Sequence, residues 1–357
     1  MNAKPNVLFI ICDDLNNAIQ GLGRQPCAPA PNLQKLMSRS VTFTNSQNNC
    51  PICLPSRDCL FSGLYPHHTG SLNLWDNWQW VMPLNTTQKQ TRYHGQHVLR
   101  ESTLLPEHLK AAGYDTFGVG KLLHQGLFIK PEIWTQYGEG PNYGPWLFDA
   151  QTGESCGHPR NRKLVNSPAI SKYIERYAGI DHFFIDDDRL RYPFEMDFGS
   201  TDEYYKASDQ IDVYYDNKKS KRFHYVSETD RDLLPDENDT QWAVNKLQEK
   251  HDKPFFLGVG YMKPHTPMIV PPSFIEQFPL DEIQLPEKIE NDIADCVRTM
   301  VDHRPYGFAV YQSLIENGTQ QYKRWLQAYL ACVAYIDHQV GLLSTLWRTV
   351  PIETTRL

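Results

Sequence analysis

"NVLFIICDD", Asn6 to Asp14, is an unbroken apolar run that ends in two adjacent carboxylates. A strand of a parallel sheet reads this way, because helices cover both faces and leave no solvent side to alternate with. The polar end of such a strand is where the sheet opens into a site. "FFLGVGY", Phe255 to Tyr261, repeats the pattern and runs into "MKPHTP". A third strand, Tyr114 to Val119, runs into "GKLLHQG". Three strand ends therefore carry polar clusters: Asp13–Asp14, Lys121–His124 and Lys263–His265.

Helical patterns lie between these strands. "APNLQKLMSRS" places Pro31 at a helix start, and Pro55 suits another. "STLLPEHLKAAG" predicts a helix capped by Ser102 and closed at Gly113. "DTQWAVNKLQEK" predicts a capped helix before the Phe255 strand, and an amphipathic helix is predicted over Gln320 to Trp347. "VTFTNS", Val41 to Ser46, alternates like a strand. Residues 125–235 are rich in Tyr, Pro, Asn and Asp and read as excursions hung on the sheet. Strands alternating with helices imply a doubly wound α/β architecture.

At 357 residues, 40% hydrophobic and 12% aromatic, the chain can bury a sizeable core. Its net charge of −7 and the lack of a Lys/Arg cluster argue against a nucleic-acid partner. No apolar run approaches the roughly 20 residues that span a bilayer. Asp13 and Asp14 end the first apolar run where a leader would need its cleavage site, so it reads as a strand. The location expected from sequence is cytoplasmic. The eight cysteines are then expected to be reduced.

Asp13 and Asp14 are adjacent, so on a regular strand they would face opposite sides. A bend at the strand end can aim both at one hard cation, and their mutual repulsion favours one. A solvated turn is the plainer reading. Lys121 and His124 are three apart, so one helical turn or a tight loop would bring both onto one face, while Lys263 and His265 flank the stiff Pro264. Two such pairs suit a compact dianion, although each alone reads as ordinary loop polarity.

"CPICLPSRDCLFSG", residues 50–63, packs Cys50, Cys53 and Cys59 closely. No second Cys-x-x-Cys supports a zinc knuckle, and no strand leads directly into a redox pair. What remains is Cys53-Leu54-Pro55-Ser56-Arg57 at a helix N-terminus, a place that favours negative charge.

This C-x-P-S-R run resembles the hallmark of the type I sulfatases, in the alkaline-phosphatase-like superfamily. "NVLFIICDDL", "PNLQKL", "GYDTFGVGKLLHQG", "FFLGVGYMKPHTP" and "AYIDHQVGLL" extend the resemblance along nearly the whole chain, nearest the iduronate-2-sulfatase branch. The resemblance implies an alkaline-phosphatase-like mixed sheet sandwiched by helices. It also implies that a formylglycine-generating enzyme oxidises Cys53 to formylglycine, whose hydrate attacks a sulfate ester, with Arg57 steadying it. Asp13, Asp14 and residue 53 would hold a Ca²⁺-type ion, and Lys121, His124, Lys263 and His265 would contact the sulfate. His124 or His265 would protonate the departing alcohol. Cys50 and Cys59 would pack. The implied substrate is a sulfated carbohydrate or other small sulfate ester, and "SLNLWDNWQWV", residues 71–81, could line a sugar cleft. Relatives of this kind are exported or lysosomal.

The sequence departs from the pattern twice. The usual L-T-G-R is replaced by Phe61-Ser62-Gly63-Leu64. Family members also continue past "YIDHQVGLL" into an S-D-H-G strand that completes the metal site. Asp337 and His338 read as helix residues, not substitutes. "WRTVPIETTRL" breaks the apolar pattern, and a one-base shift of its codons can yield a sulfatase-like continuation. Residues 1–346 are thus expected to be an incomplete catalytic domain, lacking the C-terminal part of the sheet, and 347–357 a frameshifted tail. Little turnover is expected from the chain as it stands. The alternatives are an inactive sulfatase-like fragment, a phosphatase or phosphodiesterase of the same superfamily, and a zinc- or thiol-based binding module.

Overall fold

In a computed structural model, residues 4–72, 99, 101–124, 130–149, 155–156, 183–184, 191–192, 198–200, 211–214, 221–287, 289, 294–295 and 319–350 are described. The central sheet has four strands: β1 (Val7–Cys12), β2 (Asp115–Gly120), β3 (Gln136–Tyr137) and β4 (Phe255–Tyr261). Their order is β1-β4-β2-β3 and every pairing is parallel. The antiparallel pairs lie in small separate sheets, such as Trp146–Asp149 with Ile211–Tyr214. The described part of residues 125–235 is therefore organised into short strands, more than the weak periodicity of that region suggested.

Helices cover both faces, as the apolar strands require. On one face Phe255, Leu257, Val259 and Tyr261 of β4 meet Leu8 and Ile10 of β1 and the long helix α5 (Thr319–Trp347). On the other, Phe256 meets Phe9, Phe61, Leu104 and Leu122. All seven β4 residues are buried, and each large side chain contributes roughly 1.5–3 kcal/mol. Helix α4 (Pro235–Gln248) packs against β4 beside α5.

Several boundaries differ from the sequence expectation. Helix α3 spans Leu105–Ala111 and Ser102 does not cap it; the Glu107 carboxylate accepts the Leu104 N–H (3.2 Å). The same device, Glu237 on the Leu234 N–H (2.7 Å), starts α4 four residues ahead of the predicted "DTQW" opening. In both helices an acidic residue reaching back satisfies an orphan donor as a short polar cap would. Val41–Ser46 forms no strand. Val41 and Phe43 are 81% and 80% exposed, and alternation alone does not make a strand where no described neighbour supplies a hydrogen-bonding edge.

Asp337 is a helix cap supplied from another helix. Its carboxylate accepts the backbone N–H groups of Asn32 (3.1 Å) and Leu33 (2.7 Å) and the Asn32 amide (2.9 Å) at the start of α1 (Pro31–Met37). His338 is exposed and sits edge-on to Phe274. Neither belongs to the cluster of possible metal-ligating side chains found among the described residues. Asp337→Ala is expected to cost roughly 1–3 kcal/mol, because buried donors lose their acceptor; the urea midpoint measures it. α5 ends at Trp347, where the apolar pattern ends, and residues 351–357 lie outside the described residues. Among the described residues no helix is long and apolar enough to cross a membrane.

Candidate active site

Because β1, β4 and β2 are parallel neighbours, their C-terminal ends share one edge of the sheet. Cys12 pairs with Tyr261 and Gly260 with Gly120, so the three loops depart within about one residue of each other. The backbone locks them there. Asp13 N–H donates to Tyr261 O (3.0 Å), His265 N–H to Asp13 O (3.1 Å) and Lys121 N–H to Gly260 O (2.6 Å).

Asp14 has φ +59°, in the left-handed region that costs a non-glycine residue energy. This is the bend that adjacent carboxylates need in order to converge. His265 Nε2 lies 3.9 Å from Asp13 Oδ2 and 3.8 Å from Asp14 Oδ2. Tyr329 OH donates to Asp14 O (2.9 Å) and accepts the Asn16 N–H (3.0 Å), bracing the turn from α5.

Helix α2 spans Cys53–Ser62, so Cys53 is its first residue and lies at the positive end of the helix dipole. Pro55 sits in the first turn, where a missing N–H costs nothing. Cys53 Sγ is 3.3 Å from His124 Nδ1. Arg57 is buried and ties three pieces together. Its guanidinium donates to the carbonyls of Lys121 and Leu122 (the latter at 3.0 Å) and to Asp13 Oδ1 (2.8 Å). Arg57 therefore steadies the site through the loop and Asp13, and no direct bond to Cys53 is among its described contacts. Lys121, fully buried, donates to Asp13 Oδ2 and to Tyr143 OH (2.8 Å).

Burial alone would raise the Asp13 pKa, but Lys121 and Arg57 outweigh it and hold this carboxyl well below the usual range. Burial works against the Lys121 ammonium, yet Tyr143 and Asp13 raise its pKa. Burial, with Lys121 beside it, pushes His124 down to about 3, so its ring is neutral at neutral pH. The same two causes, in the same order, lower His265. Its Nδ1 donates to the Thr266 carbonyl, which leaves the Nε2 lone pair facing both carboxylates. Burial raises the Cys53 thiol, so the unmodified side chain is no thiolate nucleophile.

Ligand atoms of Asp13, Cys53 and His265 lie within 4.8 Å of one another, with the Asp14 carboxylate alongside. The Asp13 carboxylate and the His265 lone pair beside residue 53, with the exposed Asp14 carboxylate 3.8 Å from His265 Nε2, fit a divalent cation. His265 joins this donor group, a place that its spacing from Lys263 did not indicate. Lys263 does not join the cluster among the described contacts. Its Nζ donates to Pro267 O (2.6 Å), and its N–H donates to Asp236 (3.0 Å).

Two contributors had no sequence signal. Tyr143 comes from residues 125–235 and is one of 19 tyrosines. Asp236 of α4 accepts the N–H groups of Met262 (2.6 Å) and Lys263 and so holds the loop that carries His265. Cys59 is buried in α2, Cys50 is half-buried, and the described cysteines are free thiols. Most of "SLNLWDNWQWV" lies outside the described residues.

The family model described as Sulfatase matches residues 5–130 and 162–346. The chain is 27% identical over 345 residues to a sulfatase of Formosa agariphila, covering 95% of this chain and 54% of that protein. It is 28% identical over 354 residues to human iduronate 2-sulfatase, covering 96% and 51%. The chain thus spans about half the length of the curated relatives it matches. Among solved structures, the phosphonate monoester hydrolase of Agrobacterium radiobacter superposes with a TM-score of 0.53 at 16% identity, covering 97% of this chain and 60% of that one. A structure in complex with D-glucosamine-2-N,6-O-disulfate superposes with a TM-score of 0.51 at 14% identity, covering 97% and 63%.

Proposed function

Because this chain belongs to the sulfatase family, we propose that it carries the nucleophile, the base and the first carboxylate pair of a sulfuric ester hydrolase. One observation supports this above the others. Cys53, at the positive end of α2, sits against a neutral His124, with Lys121, Arg57, Asp13, Asp14 and His265 gathered at the same sheet edge.

In this reading Cys53 is matured to formylglycine by a formylglycine-generating enzyme, and Asp13, Asp14, His265 and residue 53 hold a calcium-type cation. The aldehyde hydrate would supply an attacking hydroxyl, and the cation would offset the negative charge of the ester. His124 Nδ1, 3.3 Å from the Cys53 sulfur, is placed to take a proton from the group at position 53. The Lys121 ammonium, with two of its three N–H groups on Asp13 and Tyr143, would offer the third to a non-bridging sulfate oxygen. His265 faces the carboxylate pair and is assigned to the cation side of the site, where the sulfate would lie. Lys263 supports its own loop instead of the sulfate.

A sulfated carbohydrate is the substrate class proposed, since human iduronate 2-sulfatase and the glucosamine disulfate complex lie among the similar proteins. Cysteine at position 53, where a phosphatase of this superfamily would carry Ser or Thr, weighs against phosphate esters. The donor set favours one second reading. Ca²⁺ takes about 6–8 oxygen ligands, more than the described carboxylates and residue 53 supply. A chain that binds the ester without turning it over would fit that shortfall.

Mass spectrometry of the tryptic peptide 40–57, after coexpression with the maturing enzyme, is expected to show the loss that accompanies CH₂SH becoming CHO. An unaltered thiol would overturn the maturation. Any hydrolysis of an aryl sulfate is expected to be low and to vanish in Cys53→Ala. Hydrolysis retained by that variant would overturn the role of residue 53, whereas sulfate binding with no hydrolysis in either protein selects the second reading.

A further inference from the structure

Asp13 is shared three ways. Arg57 takes Oδ1, Lys121 takes Oδ2, and the same carboxylate faces His265 among the cation donors. A divalent ion at Asp13 competes with Lys121 for that oxygen. Lys121 would then need another anchor, since a buried ammonium with slack hydrogen bonds is poorly aimed.

The described anchor is Tyr143. Its hydroxyl accepts from Lys121 Nζ at 2.8 Å, and the ammonium also lies 4.9 Å from the ring centroid. The same ring meets His265 edge-on, with centroids 5.4 Å apart and planes at 72°. One side chain thus touches the β2 loop and the β4 loop together. The segment that carries it is braced, because Gly144 N–H donates to Asn142 Oδ1 (2.8 Å). Its neighbours Asn142 and Gly144 line a small cavity together with Asp236, Met262 and Lys263, so the segment lies beside the base of the β4 loop.

We propose that Tyr143 is a positioning residue that keeps the Lys121 ammonium aimed at the anion when a divalent cation occupies Asp13. The hydroxyl does this through Lys121, and the ring holds His265 in register with it. The proposal deepens the sulfate-ester reading and rests on it only for the identity of the anion.

The test compares the full chain with Tyr143→Phe, which keeps the ring and removes the hydroxyl, in the presence and absence of Ca²⁺. Proton exchange of the Lys121 ¹⁵N-ammonium, assigned with Lys121→Arg, is the first readout. Calorimetric binding of inorganic sulfate is the second. With Ca²⁺, exchange in Tyr143→Phe is expected to quicken roughly tenfold and sulfate affinity to fall by a similar factor, the effect of losing a hydrogen bond to a charged group. Without Ca²⁺, Asp13 still holds Lys121 and exchange changes little. Equal exchange in both proteins with Ca²⁺ overturns the proposal, as does an equal change with and without the ion. Faster exchange in a chain that binds no sulfate upholds the positioning role and rejects the sulfate-ester reading. Tyr143→Leu, which also removes the ring contact, is expected to weaken sulfate binding further.

Discussion

Asp13→Asn is expected to lower stability at neutral pH by roughly 3–5 kcal/mol, the cost of leaving buried charges unpaired. Arg57 and Lys121 both donate to this carboxylate, and all three side chains are at most 4% exposed. Asparagine keeps the shape and one acceptor oxygen but removes the charge that two cations share. The urea midpoint should fall with little change in slope, since the surface exposed on unfolding is nearly the same. The pH dependence carries a sign. The folded pKa of Asp13 lies below its unfolded value, so its contribution is fully present above the ordinary carboxylate range. That contribution is lost only as pH falls toward the depressed folded value. The two proteins should therefore differ most from weakly acidic pH upward and converge in strong acid. Added Ca²⁺ should raise the melting temperature of the parent chain and have far less effect on the variant. A loss under about 1 kcal/mol would mean that Arg57 and Lys121 find other partners, contrary to the pairing described.

Gly260→Ala is expected to be severely damaging for the addition of a single methyl group. A Cβ there would overlap the Lys121 carbonyl carbon and oxygen and lie 2.6 Å from Leu122 N. These are backbone atoms, pinned because Arg57 holds the Lys121 and Leu122 carbonyls and Lys121 N–H is bonded to Gly260 O. Overpacking a core usually costs about 1–3 kcal/mol, and this site belongs at or above the top of that range. Because the loop must lift, cation and sulfate binding should fail in any fraction that still folds. Gly140→Ala is the control, since a Cβ there meets nothing within 4 Å and is expected to change the midpoint little. A Gly260→Ala protein with an unchanged midpoint would show that the loop lies farther from β4 than described.

The two glycines of β4 explain why its sequence reads "FFLGVGY" and not as a solid apolar run. Gly258 and Gly260 face the side on which residues 120–124 lie flat over the sheet. A Cβ at Gly258 would sit 2.7 Å from Leu122. The same face brings Lys121 down to Asp13. The strand was legible as a buried element, but the purpose of its glycines was not, because they answer to a loop about 140 residues away.

Burial of Arg57 follows the same logic. On paper it is a cation four residues after Cys53, one turn up a helix. In the fold it bonds Asp13 and two carbonyls at the end of β2, so its contact with the chemistry is indirect. Lys263 shows the converse. It stands two residues before His265 as Lys121 stands three before His124, yet the loop sends the ammonium to the Pro267 carbonyl. Closeness in the chain does not fix direction where the backbone is neither helix nor strand.

Three buried strands, the main helices, the polar strand ends and a helix opening near Cys53 could all be read from the chain, although the strand expected at Val41–Ser46 does not form. These are properties of residues near one another in the chain, set by hydrophobic period and turn chemistry. Folding in three dimensions adds that the three ends share one edge, that Asp14 takes the left-handed bend, that Asp13 neutralises two buried cations, and that Tyr143 and Asp236 contact the loops. Those facts depend on strand order, register and close backbone approach. They bring together side chains tens to hundreds of residues apart, and no local pattern encodes such distances.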